Sequence, residues 1–276
     1  MPSSKIKNDY FKANKPVHHL SYCAFLDVLG FSQRLHDSYK KKEGDKLLQE
    51  FHTIFEKRIK ALKADTDETL LYFKSFTDNV VLAHPKFSDD MESEFGFILW
   101  SILDYQFDMA LAGFFVRGGL AVGKLFVDDN SVYGEALLDS HELESRVAVN
   151  PIVVLSDDAM TLVNLHVTYY TGMDAPQRTY VLVGPDGRYF LNYLSKCLVE
   201  TAEGEHLDRK ALRKHKLQVE VALTENATNP SVFAKFTWLA AYHNFFCDTV
   251  SDYPEYVVSL KIRKKLVAIN LSRLKK

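Results

Sequence analysis

The chain is predicted to fold as an α+β protein, and three observations predict it. Short apolar runs of strand length alternate with longer runs of helical spacing. The order along the chain is strand, helix, strand, strand, helix, strand, and turn residues rather than long linkers separate the elements. A buried strand over residues 22–28 passes through Gly30 into a helical stretch. Its apolar positions Leu47, Leu48, Phe51, Ile54, Phe55, Ile59 and Leu62 lie on one face, and Glu43-Gly44 breaks or kinks it. Residues 70–73 and 80–83 read as two strands joined at Asp78. A second helix over 91–111 carries Phe95, Ile98, Leu99, Ile102 and Phe107 on one face, after which 114–122 and 125–133 read as two further strands. The next helix spans 134–149 and stops before Pro151. A strand over 152–155 then leads to a helix capped by Ser156, with Asp157 and Asp158 favourably placed in its first turn.

That order is a split βαβ, ferredoxin-like sheet with helices on one face. Beyond it, 179–184 and 187–192 flank the turn signature Pro185-Asp186-Gly187 and form a hairpin. From Gly204 onward the pattern becomes two helices, 207–224 and 231–250, the second rich in aromatic residues. The organisation expected is a loose polar arm over 1–19, a main domain over 20–195 and a helical C-terminal extension over 196–276 packed on it.

Composition excludes several classes of function. With 276 residues and a net charge of -2, the chain has interspersed acids and bases and no basic face for nucleic acid. The locally cationic stretch 261–276 reads first as a solvated terminus and second as a phosphate or partner contact. No run of about 18 apolar residues suggests a membrane span, and the first residues hold no apolar signal core, so a cytoplasmic location is expected. Cys23, Cys197 and Cys247 are odd in number and set in apolar contexts, as core thiols in a reducing compartment are. His18-His19 would point to opposite faces of a strand and carry no ligand spacing.

Two aspartates carry the chemistry. Asp27 closes the apolar run Ser21-Tyr22-Cys23-Ala24-Phe25-Leu26, and Asp78 lies between Phe76-Thr77 and Asn79-Val80. Carboxylates at adjacent strand ends are able to hold a pair of divalent cations that activate one oxygen and stabilise charge on phosphorus. The same residues would also serve as a helix cap and a turn opener. The backbone amides of Leu29, Gly30, Phe31 and Ser32, at the start of the first helix, are placed to receive phosphate oxygens. Gly118 to Lys124 imitates a phosphate-binding glycine loop, but Leu125 stands where that loop needs a metal-binding hydroxyl, and the apolar flanks say strand.

The turn Phe25-Leu26-Asp27-Val28-Leu29-Gly30-Phe31-Ser32, the second aspartate in Phe76-Thr77-Asp78-Asn79, the strand around Arg117-Gly118-Gly119 and the helix Gly134 to Ser145 together resemble the class III nucleotidyl cyclases. The resemblance implies that Asp27 and Asp78 bridge two Mg²⁺ or Mn²⁺ ions, with the Val28 carbonyl as a further ligand. It also implies that Lys124, which reads equally as an exposed lysine at a strand end, contacts the triphosphate and that Lys74 and Ser131 read the base. Ser131 replaces the aspartate of adenylyl cyclases, and Leu138 and Glu142 stand where purine cyclases carry an asparagine and an arginine. Arg117 and Arg146 are candidates for the missing cation, Arg146 being read first as a salt-bridge partner.

A subgroup with this pattern is the bacterial pyrimidine cyclases of the Pycsar anti-phage system, which the segment Lys235 to Asn244 also resembles. That resemblance implies a homodimer with sites at its interface that converts UTP or CTP to the cyclic monophosphate, a signal read by a separate effector. Uracil is favoured over cytosine because Lys74 is read as lacking a nearby carboxylate, and Tyr72, Phe73 or Phe76 would fill the space of a purine. An adenylate or guanylate cyclase and a non-catalytic nucleotide sensor on the same fold are the alternatives.

Overall fold

The computed structural model describes residues 9–65, 71–263 and 269–275. Residues 1–8 of the expected arm, Leu70, residues 264–268 and 276 of the cationic stretch, and the side chain of Leu62 lie outside the described residues. The elements in chain order are β1 (Phe11–Lys12), β2 (Lys15–Pro16), β3 (His19–Val28), α1 (Phe31–Lys40), α2 (Gly44–Asp65), β4 (Tyr72–Phe76), β5 (Asn79–Pro85), α3 (Glu92–Leu111), β6 (Val116–Val127), β7 (Val132–Gly134) and α4 (Glu135–Glu142). They continue with β8 (Val153–Leu155), α5 (Asp157–Thr168), α6 (Gln177–Tyr180), β9 (Val181–Val183), β10 (Tyr189–Leu191), β11 (Leu198–Thr201), β12 (Gly204–Leu207), α7 (Arg209–Glu225), α8 (Pro230–Thr249) and β13 (Ser272–Arg273).

One large sheet runs in the order β13-β9-β10-β8-β6-β3-β5-β4, with β7 paired to β6. Within it the first four long strands lie as β6-β3-β5-β4, every neighbour antiparallel. This is the fourth-first-third-second order of the ferredoxin-like split βαβ, so the α+β class and its core topology are as the sequence predicts. Alternation along β3 sends Tyr22, Ala24, Leu26 and Val28 into the main core beneath α2 and α3, where Phe95, Ile98, Leu99 and Ile102 meet them. The opposite row, Cys23, Phe25 and Asp27, faces the other side. There Cys23 joins Tyr72, Ala83, Leu125 and Phe126 in a smaller cluster.

Helix α4 crosses that second face in direct contact with β6, so the helices are not confined to one face of the sheet, contrary to the expectation from sequence. A Cβ on Gly119 would stand 2.3 Å from the Ser140 carbonyl oxygen and 2.5 Å from Leu143 Cβ, so only glycine permits this approach. The Ser156 cap is present: its hydroxyl accepts from the Ala159 amide at 3.1 Å. The cysteines are free and buried. Among the described residues no helix is long and apolar enough to cross a membrane.

Several elements differ from expectation. The two strands predicted over 114–133 are a single twelve-residue strand, β6, because Gly123 and Lys124 keep extended pairing with β3 rather than turning. The glycine-loop imitation lies inside this strand. Residues 9–19 of the arm are not loose: Tyr10 is buried, its hydroxyl lies 2.9 Å from that of Ser21, and its ring packs edge-on to Phe126. The helix from Gly134 gives way to a π-helical turn over Leu143–Val147, and Gln177–Tyr180 coils as α6 before the hairpin. The C-terminal part is not wholly helical, since it adds the β11–β12 hairpin and returns β13 to the edge of the sheet. Helix α8 docks on the core through Phe236, edge-on to Phe115 at 5.3 Å.

Candidate active site at the ends of β3 and the β4–β5 hairpin

The sheet order brings the two sequence-nominated aspartates together. Phe76 pairs with Asn79, so Thr77 and Asp78 form a two-residue turn, with Thr77 at φ 55°. Strand β5 then pairs with β3 through Leu26 and Val80, which sets the Asp78 turn beside the end of β3, where Asp27 and Val28 stand. Asp27 faces Arg117 in register across β3 and β6.

Arg117 holds two carboxylates. Its Nε donates to Asp27 Oδ2 at 3.3 Å, and its terminal nitrogen lies 2.6 Å from Oε1 of Glu144, a residue buried in the π-helical turn. Two carboxylates, Asp27 and Glu144, therefore share one guanidinium, with the buried Asp78 close enough to act on Asp27 by its charge. Burial first, then the negative charges of Asp78 and Glu144, push the Asp27 carboxyl up to about 6, against the opposing pull of Arg117. Lys235 on α8 is also within reach of this charge. Its ammonium is pushed down by burial and then by Arg117.

The amide of Leu29 donates to the Phe115 carbonyl at 2.8 Å. It is not free for phosphate, which corrects the sequence reading at that residue. The same bond fixes the neighbouring carbonyl: in an antiparallel ladder the N–H and C=O of successive residues point to opposite sides. The Val28 carbonyl thus faces the β5 side, beyond the last Leu26–Val80 pair and toward the Asp78 turn. Gly30, at φ 74°, turns the chain into α1 without a side-chain cap. The first-turn amides that follow, of Phe31 and Ser32, have no intrahelical acceptor, nor does that of Gly30.

Lys124 lies elsewhere. It pairs with Leu20, seven positions along β6 from the Asp27–Arg117 pair, about 24 Å on an extended strand. Within one subunit it does not reach the aspartates. Lys74 and Ser131, by contrast, converge. The Lys74 ammonium donates to the Asp129 carbonyl, and the Ser131 amide and hydroxyl both bond Asp128 Oδ1, at 2.7 and 3.0 Å. The Asp128 carboxyl is held below its ordinary range: burial raises it, but hydrogen bonds from Asn130 and Ser131 and the Lys74 charge outweigh that. Lys74 therefore has a carboxylate close by, which removes the ground for preferring uracil.

Tyr72 bonds the Asp128 carbonyl at this same turn, Phe73 packs against Phe55 on the opposite face, and Phe76 is exposed. Leu138 and Glu142 are exposed on α4, and Arg146 bonds Glu142 at 2.6 Å, the salt bridge read from the sequence. Two participants escaped sequence reasoning. Glu144 is visible only as the last acid of the Glu142-Leu143-Glu144 segment, and Asp128 only as the start of an Asp-Asp-Asn-Ser turn.

Among the described residues no group of three or more His, Cys, Asp or Glu side chains is arranged to hold a metal ion. The ligands nominated from the sequence, Asp27, Asp78 and the Val28 carbonyl, are hard oxygen donors of the kind divalent cations take, and Asp27 is flanked by the negative charges of Asp78 and Glu144. No protein-family model matches the chain, and no curated protein is similar to it. Among the solved structures with partial likeness are cyclase catalytic domains. The catalytic core of a rhodopsin-guanylyl cyclase with converted specificity, in complex with ATPαS, is 14% identical at TM-score 0.42 over 63% of this chain and 96% of that one. The guanylyl cyclase Cya2 is 11% identical at TM-score 0.42 over 63% and 91%. The guanylate cyclase domain of RhGC from Catenaria anguillulae, in complex with GTP, is 14% identical at TM-score 0.41 over 63% and 96%.

Proposed function

We propose that the protein is a nucleotidyl cyclase that closes a pyrimidine nucleoside triphosphate, UTP or CTP, to its 3′,5′-cyclic monophosphate with release of pyrophosphate. The observation that carries this reading is the meeting of Asp27 and Asp78 at one end of the sheet, close enough that Asp78 raises the proton affinity of Asp27. Two divalent cations, Mg²⁺ or Mn²⁺, held by Asp27, Asp78 and the Val28 carbonyl, would activate the ribose hydroxyl and stabilise charge on the α-phosphorus. The free amides of Gly30, Phe31 and Ser32 receive phosphate oxygens at the α1 N-terminus. Arg117, engaged by both Asp27 and Glu144, orients the Asp27 carboxylate and balances part of its charge.

The remaining groups belong to a homodimer. Lys124 stands far from the aspartates of its own chain, so a triphosphate held by both requires a second copy with a two-fold axis. In that assembly Lys74 and Ser131 read the base. The motif resemblance to the Pycsar cyclases supports a pyrimidine and an anti-phage signal to a separate effector. Between the pyrimidines, Asp128 beside Lys74 offers an acceptor for the amino group of cytosine as readily as Lys74 offers a donor to uracil.

That same pair favours a second reading, an adenylate cyclase, because a lysine with a carboxylate also complements adenine. A non-catalytic sensor has no use for the two under-neutralised aspartates. Purified protein with Mn²⁺ and each of the four ribonucleotides decides the matter by kcat/KM and product mass, with Asp78→Ala as control. Cyclic UMP or CMP lost in the variant is expected. A purine preference would overturn the pyrimidine assignment, and undiminished turnover by Asp78→Ala would overturn the cyclase site.

A further inference from the structure

The hairpin β11–β12 and the helix α7 that follows it carry opposite charges that do not meet within the chain. Residues 199–205 of the hairpin are exposed, and three of them are acids, Glu200, Glu203 and Glu205. Thr201 fixes the tip: its hydroxyl donates to the Gly204 carbonyl at 2.9 Å and accepts from the Glu203 amide at 3.2 Å. Where the hairpin ends, the first turns of α7 form an open groove, with Arg209, Lys210, Arg213 and Lys214 around Leu207 and Leu217. Asp208 also lines it, but its Oδ1 caps the helix, accepting from the Lys210 and Ala211 amides at 3.0 and 2.9 Å. Among the described residues the ion pair on α7 is Lys216–Glu220, and the four groove cations make none. Nor do Glu200 and Glu203, while Glu205 accepts from the Tyr253 hydroxyl. The tip pair Thr201–Gly204 lies three register steps from Leu198–Leu207, which holds it about 10 Å from the end that leads into α7.

We propose that the α7 groove receives the β11–β12 hairpin of a second copy of this chain, in a two-fold exchange that sets the acids of each copy on the cations of the other. The chain thus carries the complement of its own groove, and one two-fold axis makes both contacts at once. The contact would also cover the exposed apolar side chains of Val199 on the hairpin and Leu217 in the groove. The hairpin is a two-stranded sheet of its own, marginal in water by itself, so a surface laid against it stabilises it. A net charge of -2 for the whole chain favours this occupant over a nucleic acid. The interface is separate from the catalytic one and does not depend on the cyclase reading.

Sedimentation velocity in about 0.05 M and about 1 M NaCl tests it, on wild type, a groove variant Arg213→Glu/Lys214→Glu and a hairpin variant Glu200→Lys/Glu203→Lys. Wild type is expected to reach a larger assembly at low salt than at high salt. Each variant should stop one association step short at low salt, with a dissociation constant about 100-fold weaker, because like charges then face each other. An equimolar mixture of the two variants should regain the wild-type species, since acids and bases are again opposed in both contacts. Wild type that sediments alike at both salts overturns the exchange, whether or not the variants fold. Variants that assemble as wild type does, or a mixture of folded variants that recovers nothing, also overturn it. So does a groove that captures labelled single-stranded RNA while wild type stays in its high-salt state, which would assign the cations to nucleic acid.

Discussion

Replacing Asp27 by asparagine should stabilise the metal-free protein at neutral pH while removing its activity. Asp27 is pushed from an ordinary 3.8 to about 6, chiefly by burial and then by Asp78 and Glu144. At about 1.36 kcal/mol per tenfold change in proton affinity, ionising it in the fold costs about 3 kcal/mol. The folded protein binds the proton more tightly than the unfolded chain, so this cost is fully present above pH 6 and disappears below pH 4. Asparagine does not titrate and carries no charge against Asp78 and Glu144. It weakens the bond from Arg117, a charged hydrogen bond at 3.3 Å, which takes back about 1 kcal/mol. The net gain at pH 8 is therefore about 1–2 kcal/mol, a rise in Tm of roughly 2–8 °C. Thermal unfolding in EDTA at pH 8, 6 and 4 measures it. An asparagine variant less stable than wild type at pH 8, or a gain that does not shrink toward pH 4, refutes the carboxylate crowding on which the site is built.

Mixing an Asp27→Ala subunit with a Lys74→Ala subunit should recover activity that neither parent has, because one interface site of the heterodimer is then intact. No recovery where heterodimers are shown to form would defeat the shared site. Glu144→Gln should lower stability by about 1–3 kcal/mol and reduce kcat more than it changes KM, since the Arg117 that orients Asp27 loses its buried anchor; urea unfolding and steady-state kinetics test both parts. Gly119→Ala should destabilise by about 1–3 kcal/mol, because its methyl would stand 2.3 Å from the Ser140 carbonyl oxygen. An unchanged urea midpoint would show that α4 does not rest on β6 in this way.

The sequence by itself determined the α+β class and the alternation of strands and helices, and it nominated two aspartates that strand pairing brings to one end of the sheet. These are local properties: a period of two or 3.6, a glycine with positive φ at residue 30, a polar pair inside an apolar hairpin. Its errors have equally physical causes. Gly123 and Lys124 look like a break in isolation, but ten consecutive residue pairs with β3 override that local preference. The arm looked loose because the partners of Tyr10, Ser21 and Phe126, come from β3 and β6.

Only the tertiary structure decided which charges share a site. Register across β3 and β6 puts Arg117 opposite Asp27 and sends Lys124 to the other end of the strand, a consequence of antiparallel pairing that spacing along the chain does not reveal. The turn after β6 brings Asp128 to Lys74, 54 residues away in sequence, and supplies the carboxylate the sequence had seemed to lack there. Glu144 comes to Asp27 through Arg117, which it meets from the buried face of the π-helical turn. Burial and Coulomb coupling act through space and depend on distances below about 10 Å, so they are set by how strands and helices pack.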